Sequence, residues 1–256
     1  MSKATFPDHF SAGAAGYAAF RPHYPDRLFA YLASPCVRHH RAWDCATGSG
    51  QAAVALTRHF DHVVASDASA SQVAHAARHP RVDYLVAVAE RSPVSVGSMD
   101  LVTVAQSLHW FARPAFYAEA AHALASHGLL AVWCYTNVEV DEPIGSFVRD
   151  FYGGACGPYW PPERALVEDG YRTIEFPFVD ERTSAEQFEI TAELTLAQLV
   201  GYIRSWSATQ RLAAATGGDP VSELEETLRT HWGSGGGTRS VRWPISLRVG
   251  RPRSAR

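Results

Sequence analysis

Residues 44–50 read Asp44-Cys45-Ala46-Thr47-Gly48-Ser49-Gly50, entered from the apolar run Ala42 to Cys45 and left through the helix-forming run Gln51 to Phe60. A turn nearly free of side chains that feeds a helix N-terminus offers backbone N–H groups to a polar small molecule and lets it approach closely. The stretch therefore reads as strand, loop and helix, and it admits more than one ligand. A dinucleotide fingerprint wants a third glycine three residues after the second, where this chain has Ala53. Asp44, ahead of the first glycine, would repel a pyrophosphate and attract a ligand carrying an ammonium group.

Outward from this loop the pattern alternates. Strand-like apolar runs stand at Ala42 to Cys45, His62 to Ser66, Val82 to Val88, Leu101 to Ala105 and Leu129 to Tyr135, with helical patterns at Gln51 to Phe60, Ser69 to Arg78 and Pro114 to Ser126. Short apolar strands separated by helices describe an α/β fold with a parallel sheet covered on both faces. Before it lie an irregular arm, Tyr17 to Pro25, and a helix, Asp26 to Ala33. After it come aromatic-rich helical and loop segments from Glu142 to Gly170, a strand at Thr173 to Val179, helical stretches at Leu196 to Ala215 and Val221 to Trp232, and an alternating strand, Ser240 to Val249. We expect one domain over 1–256. Its parts are an arm and helix (1–34), a ligand-binding core (35–136), lid insertions with the 173–179 strand (137–239), a last strand (240–249) and a tail (250–256).

Composition narrows the partners. With 23 basic and 26 acidic residues the net charge is −3, which argues against general nucleic-acid affinity, since that rests on clustered Lys and Arg. Lys3 is the only lysine, and the arginines are scattered. Cys36, Cys45, Cys134 and Cys156 form no CxxC pair, so reduced thiols in a cytoplasmic protein are expected. His59/His62 and His75/His79 have ligand-like spacing but no accompanying carboxylate motif, and no metal site is implied. No apolar run reaches the roughly 18 residues of a membrane span, and the N-terminus lacks the order of a signal peptide.

Ligands of doubly wound sheets sit at the carboxyl ends of the strands. Asp67 ends the second strand at the position of a ribose-binding carboxylate, or else caps the following helix. Ala89-Glu90 follows the third strand, and Gln106-Ser107-Leu108-His109-Trp110-Phe111 the fourth.

At these residues the chain resembles the class I S-adenosylmethionine-dependent methyltransferases. DCATGSGQ looks like their glycine motif, Asp67 like their ribose-binding acid, and Ala89-Glu90 like their adenine-side motif. DLVTVAQSLHWF (100–111) resembles the trans-aconitate methyltransferase-like branch of small-molecule enzymes. The likeness also takes in YAAFRPHYP, GYIRSWSATQ and VRWPISLRVGRP, so it covers nearly the whole chain. It implies a Rossmann-like fold with a seven-stranded, mostly parallel sheet whose last strand is antiparallel, and helical lid insertions. S-adenosylmethionine would be held by Tyr17, Asp44, Ala46, Gly48, Gly50, Asp67, Ala68, Ala89, Glu90 and Gln106, with S-adenosylhomocysteine as product and no metal. Asp44 would lie near the methionyl end, Ala68 against adenine, and Tyr17 and Arg21 on an arm over the cofactor, Tyr17 facing the sulfonium and Arg21 acting in catalysis by pairing with a carboxylate of cofactor or acceptor, unless the arm only packs on the sheet. Many relatives have glycine at position 46, and Ala46 fits the loop unstrained only with a negative φ.

Methyl transfer from a sulfonium is an in-line displacement, in which the protein aligns the reactants and excludes water. A carboxylate acceptor is already ionised at neutral pH and needs only positioning. A phenol, amine or acidic carbon calls for a base, for which His109 is the candidate, the alternative being a hydrogen-bonded wall residue. Trp110 is expected to wall the pocket. Tyr135, Phe147, Tyr159, Trp160 and Trp206 are expected to line an acceptor site under a helical lid, with Arg149, Arg204 and Arg211 available to an acidic acceptor. The expected activity is methyl transfer to a carboxylate or hydroxyl oxygen of a small molecule. A nicotinamide-dependent oxidoreductase and a non-catalytic cofactor-binding protein are the competing readings. Neither nucleic acid nor membrane is an expected partner, and oligomeric state is not legible.

Overall fold

A computed structural model describes residues 22–91, 93–180, 187–233 and 236–253. The arm residues Tyr17 and Arg21 lie outside these.

The first half follows the alternation read from the sequence. Strand β1 (Arg41–Cys45) leads through the glycine loop into helix α2 (Gln51–Leu56), and α1 (Asp26–Ala33) precedes them. Ala52, Ala53 and Leu56 are the buried face of α2, where the small side chains let the helix lie close to the sheet. Strand β2 (His62–Asp67), helix α3 (Ala70–His75), β3 (Val82–Val86), β4 (Met99–Ala105), α4 (Arg113–Ala123) and β5 (Leu124–Tyr135) complete this half. Ser69, not Asp67, caps α3, accepting a hydrogen bond from Gln72 N at 3.3 Å. Helix α4 ends three residues earlier than its pattern suggests because β5 begins at Leu124, and Met99 of β4 already pairs there.

The second half departs further. After β6 (Glu139–Val140) come α5 (Ile144–Gly153), α6 (Arg164–Glu168), β7 (Val179–Asp180), β8 (Phe188–Leu194), α7 (Leu196–Arg204), α8 (Ser207–Thr216), α9 (Ser222–His231) and β9 (Arg239–Arg251). The expected strand at 173–179 does not form as drawn. Ile174, Phe176 and Phe178 do point inward and are buried, but ladder pairing begins only at Val179, and Pro177 has no N–H to donate. Strand β8, whose Phe188 and Ile190 are buried, is an element the sequence reading missed. The stretch expected to be one helix over 196–215 is two, broken at Ser205–Trp206. The expected tail starts later than 250, since Gly250 and Arg251 pair with Asp180 and Val179.

Among the described residues all nine strands join one sheet of order β3-β2-β1-β4-β5-β9-β6, with β7 and β8 also paired to β9. Pairing is parallel from β3 through β5, and β9 runs antiparallel to each of its partners. Two of the nine, β6 and β7, are two-residue pieces, which leaves seven longer strands. Strand order reverses at β1, with β2 on one side and β4 on the other. That reversal opens a crevice above their carboxyl ends. Helices α5, α7, α8 and α9 enclose a second apolar core around Trp206 and Trp243. Among the described residues no helix is long and apolar enough to cross a membrane.

Candidate functional site

A cleft opens at the carboxyl ends of β1 to β4. One wall is the glycine loop, Ala46 to Ser49, with Gln51 and Ala52 from the start of α2; Asp67, Ala68 and Gln72 form the next. Ala87 to Glu90 close it beyond β3. Ala105 to Ser107, Trp110, Phe111 and Tyr135 close it beyond β4 and β5, and Pro22 and Tyr24 reach it from the arm.

Two hydrogen bonds pin the loop to β2, Thr47 N to Ser66 O at 2.9 Å and Gly48 N to Asp67 Oδ2 at 2.9 Å, while Ser69 N donates to Asp67 Oδ1 at 2.9 Å. The loop itself turns through left-handed backbone at Ala46 (φ 56°), Gly48 (φ 55°) and Gly50 (φ 84°). Ala46 does not meet the condition of a negative φ, so the alanine carries the strain of left-handed backbone. Gly50 is fixed by its neighbour, because a Cβ there would overlap the Tyr84 hydroxyl.

Asp44 lies below the cleft and is not among its lining residues. It is 1% exposed, and it accepts hydrogen bonds from Thr47 Oγ1 at 2.6 Å and Thr103 Oγ1 at 2.7 Å. Burial raises its pKa to about 6 against the pull of those hydroxyls, with the Asp67 charge adding to the rise. Thr47 and Thr103 were not singled out from the sequence; a hydroxyl three residues after a loop aspartate was the available signal for the first.

Beyond β3, Ala89 is buried and Glu90 Oε1 accepts from Ala112 N at 2.8 Å, which ties the cleft rim to the start of α4. Beyond β4, Gln106 adopts φ 58° and its amide extends the sheet. Nε2 donates to Tyr135 O at 3.0 Å, and Oε1 accepts from Tyr135 N at 2.7 Å. Gln106 thus faces the cleft while its side chain is committed to the backbone of β5.

His109 is turned away from the cleft. It is 8% exposed, Nδ1 lies 2.9 Å from the Tyr171 hydroxyl, and burial, with Arg164 and Arg113 adding, lowers its pKa to about 3. Of the two readings of His109, this is the geometry of the hydrogen-bonded wall residue, and the ring is not among the cleft's lining residues. Trp110, stacked on His109 at 4.7 Å, does line the cleft.

The expected acceptor wall is also only partly assembled. Tyr135 lines the cleft, but Tyr159, Trp160 and Trp206 do not. Trp160 and Trp206 cluster with Tyr152, with ring centroids 4.6 Å (Tyr152–Trp160), 5.5 Å (Tyr152–Trp206) and 5.9 Å (Trp160–Trp206) apart. Tyr159 O accepts from Arg211 Nη1 at 3.2 Å. Arg149 pairs with Glu142, and Arg204 with Asp219 and Glu225, so the three arginines read as candidates are committed elsewhere. The arginine that the sequence reading missed is Arg164, which lies over the Trp160 ring at 4.9 Å. The local sequence PPERALVE carries no sign of that stacking.

Comparison with known proteins accords with this geometry. A family model described as "Methyltransferase domain" matches residues 43–132, the span from β1 to β5. A Dictyostelium discoideum protein named as a methyltransferase is 33% identical over 227 residues, covering 87% of this chain and 86% of that protein. The chain belongs to the class I S-adenosylmethionine-dependent methyltransferases. A solved structure from Anaeromyxobacter dehalogenans, described as a type II methyltransferase, superposes with this methyltransferase at a TM-score of 0.85. It shows 38% identity and covers 91% of this chain and 100% of its own. A Saccharomyces cerevisiae protein, CRG1, named as an S-adenosylmethionine-dependent methyltransferase, is 25% identical over 231 residues, covering 75% of this chain and 78% of its own. The methyltransferase fold accounts for the antiparallel β9, and the strand-end cleft lies within the span matched by the family model apart from Pro22, Tyr24 and Tyr135.

Proposed function

We propose that this methyltransferase binds S-adenosylmethionine in the strand-end cleft and transfers its methyl group to an oxygen of a small molecule, a carboxylate above a hydroxyl. The observation that carries the reading is the meeting of the glycine loop, Asp67 and Ala89-Glu90 around one cleft, with the loop bonded to Asp67. Asp67, held by Gly48 N and Ser69 N, presents a carboxylate to the cleft, and the two ribose hydroxyls are assigned to it as donors. Ala68 and Ala89-Glu90 then border the adenine, and the 46–50 loop with the Gln106 backbone borders the methionyl end. An ammonium group above Asp44 favours its ionised form, which burial disfavours. Trp110 and Tyr135 would wall the place where the methyl group emerges. Tyr17 and Arg21, if they cover the cofactor, do so from the undescribed arm.

The chemistry asks little of acid or base groups. An acceptor oxygen attacks the methyl carbon, the carbon–sulfur bond breaks, and the electron pair stays on sulfur. The protein's share is alignment and exclusion of water. Because His109 is bound inward to Tyr171, an acceptor ionised without help fits better than one that must lose a proton. The net charge of −3 and the scattered arginines favour a small acceptor over nucleic acid.

The test is a screen scored by release of S-adenosylhomocysteine, in which carboxylic acids are paired with the alcohols of the same skeleton. Turnover of acids above alcohols is expected. Turnover confined to amines, thiols or nucleic acid would overturn the oxygen-acceptor reading.

A further inference from the structure

We infer that the side-chain amide of Gln72 donates a hydrogen bond to a ribose hydroxyl of the cofactor, an assignment that rests on the strand-end cleft being the cofactor site.

Helices α3 and α7 begin on the same pattern, a hydroxyl residue followed three places later by glutamine, and only α7 completes the capping box. There Gln198 N donates to Thr195 Oγ1 at 3.3 Å, and Gln198 Oε1 accepts from Thr195 N at 2.9 Å. At α3 the first half is present, with Gln72 N donating to Ser69 Oγ at 3.3 Å. The return bond is missing, because Ser69 N donates instead to Asp67 Oδ1 at 2.9 Å. With that partner taken by Asp67, the Gln72 amide makes no side-chain hydrogen bond among the described residues.

The released amide lies at the cleft. Gln72 is half-buried and lines it together with Asp67, Ala68 and the glycine loop. Its Oε1 stands 4.0 Å from where a Cβ on Gly48 would be, and Gly48 N is bonded to Asp67 Oδ2 at 2.9 Å. The amide end and the Asp67 carboxylate therefore border the same corner of the cleft, one on each side of Gly48.

The two groups are chemically complementary. An ionised carboxylate accepts and cannot donate, whereas an amide turned about its last torsion offers two N–H donors. A ribose hydroxyl that gives its proton to Asp67 keeps two lone pairs, and Gln72 Nε2 is the donor at hand for one of them. Asp67 thus takes Ser69 N away from Gln72 and so frees the amide for the ligand that Asp67 itself holds. Gln72 acts as a positioning residue for the nucleoside and does not touch the reacting atoms.

The experiment is calorimetric titration of wild type, Gln72→Met and Gln72→Glu with S-adenosylhomocysteine and with its 2′-deoxy and 3′-deoxy analogues. Methionine keeps the length and helix propensity of glutamine without the amide, and glutamate keeps the shape without the donors. Gln72→Met is expected to weaken S-adenosylhomocysteine about fivefold, the size of one neutral hydrogen bond, and Gln72→Glu at least as much. At least one deoxy analogue, the one lacking the hydroxyl that Gln72 holds, should bind wild type and Gln72→Met equally within about twofold. The thermal midpoint of ligand-free Gln72→Met should match wild type, because the amide has no partner among the described residues to lose. Undiminished S-adenosylhomocysteine affinity in either variant, or a loss carried in full by both deoxy analogues, overturns the assignment. A lowered midpoint of ligand-free Gln72→Met would make the side chain structural and overturn it too. Failure of the cofactor reading looks different, as wild-type protein that does not bind S-adenosylhomocysteine, and it takes the assignment down with it.

Discussion

Gly48 N donates to Asp67 Oδ2 at 2.9 Å, joining the loop after β1 to the end of β2. With Ser69 N on the other oxygen, one carboxylate sets both the shape of the loop and the start of α3. In the proposed site the residue that reads the ribose is also the residue that holds the glycine turn in place.

The two loop glycines should fail differently. A Cβ at Gly48 meets only Gln72 Oε1, at 4.0 Å, so Gly48→Ala is expected to cost about 1–2 kcal/mol for its left-handed backbone. Its methyl group would enter the cleft, and S-adenosylhomocysteine affinity should fall at least about tenfold, near 1.4 kcal/mol. Gly50→Ala adds a clash with a Tyr84 ring anchored by its hydroxyl to Ala77 O at 2.6 Å, and should cost about 3 kcal/mol or more. Urea unfolding and calorimetric titration of both variants separate the two effects. Equal stability losses would contradict the Tyr84 argument.

Ala46→Gly should stabilise the protein. Releasing an L-residue from φ 56° returns about 1–2 kcal/mol, and the added freedom of glycine in the unfolded chain takes back about 0.4–1 kcal/mol. A net gain near 0.5–1 kcal/mol in urea is expected. A destabilised variant would mean that the alanine methyl group makes a contact worth more than the strain.

His109 should matter for acid stability and not for the pH profile of turnover. Its folded pKa of about 3 lies below the ordinary 6.5, so between these values the unfolded chain takes up a proton that the folded protein refuses. Stability is thus fully present above about pH 6.5 and lost as pH falls, by about 2 kcal/mol at pH 5. His109→Asn keeps an acceptor for the Tyr171 hydroxyl and should remove that loss. Its kcat profile should run parallel to wild type between pH 6 and 9, and loss of an acid limb there, the rise of activity as an imidazole deprotonates, would restore the general-base role.

How far the chain could be read from its letters depended on whether a residue's task was local. β1 to β5 and α1 carried their own periodicity, and the loop at 44–50 its own turn chemistry. The segments 173–179 and 188–194 show why alternation is insufficient. Ile174, Phe176 and Phe178 alternate inward as well as Phe188 and Ile190 do, yet only the second set builds a long ladder, its partners being the β9 residues 239–245. The long-range pairs were invisible: Asp44 with Thr103 and Gln106 with the Tyr135 backbone each join residues whose neighbours in sequence say nothing of the meeting. His109 drew attention by type and position, but its orientation toward Tyr171 is set by a residue 62 positions away.

The dissociation constant of S-adenosylhomocysteine, measured by calorimetry on wild type and on Asp67→Ala beside NADH as a control, addresses the cofactor site most directly. Wild type should bind S-adenosylhomocysteine in the micromolar range and NADH not measurably. Asp67→Ala should weaken S-adenosylhomocysteine by about 30-fold or more, near 2 kcal/mol for hydrogen bonds to a charged group. An unchanged constant in Asp67→Ala, or binding of NADH in place of S-adenosylhomocysteine, would contradict the assignment of this cleft.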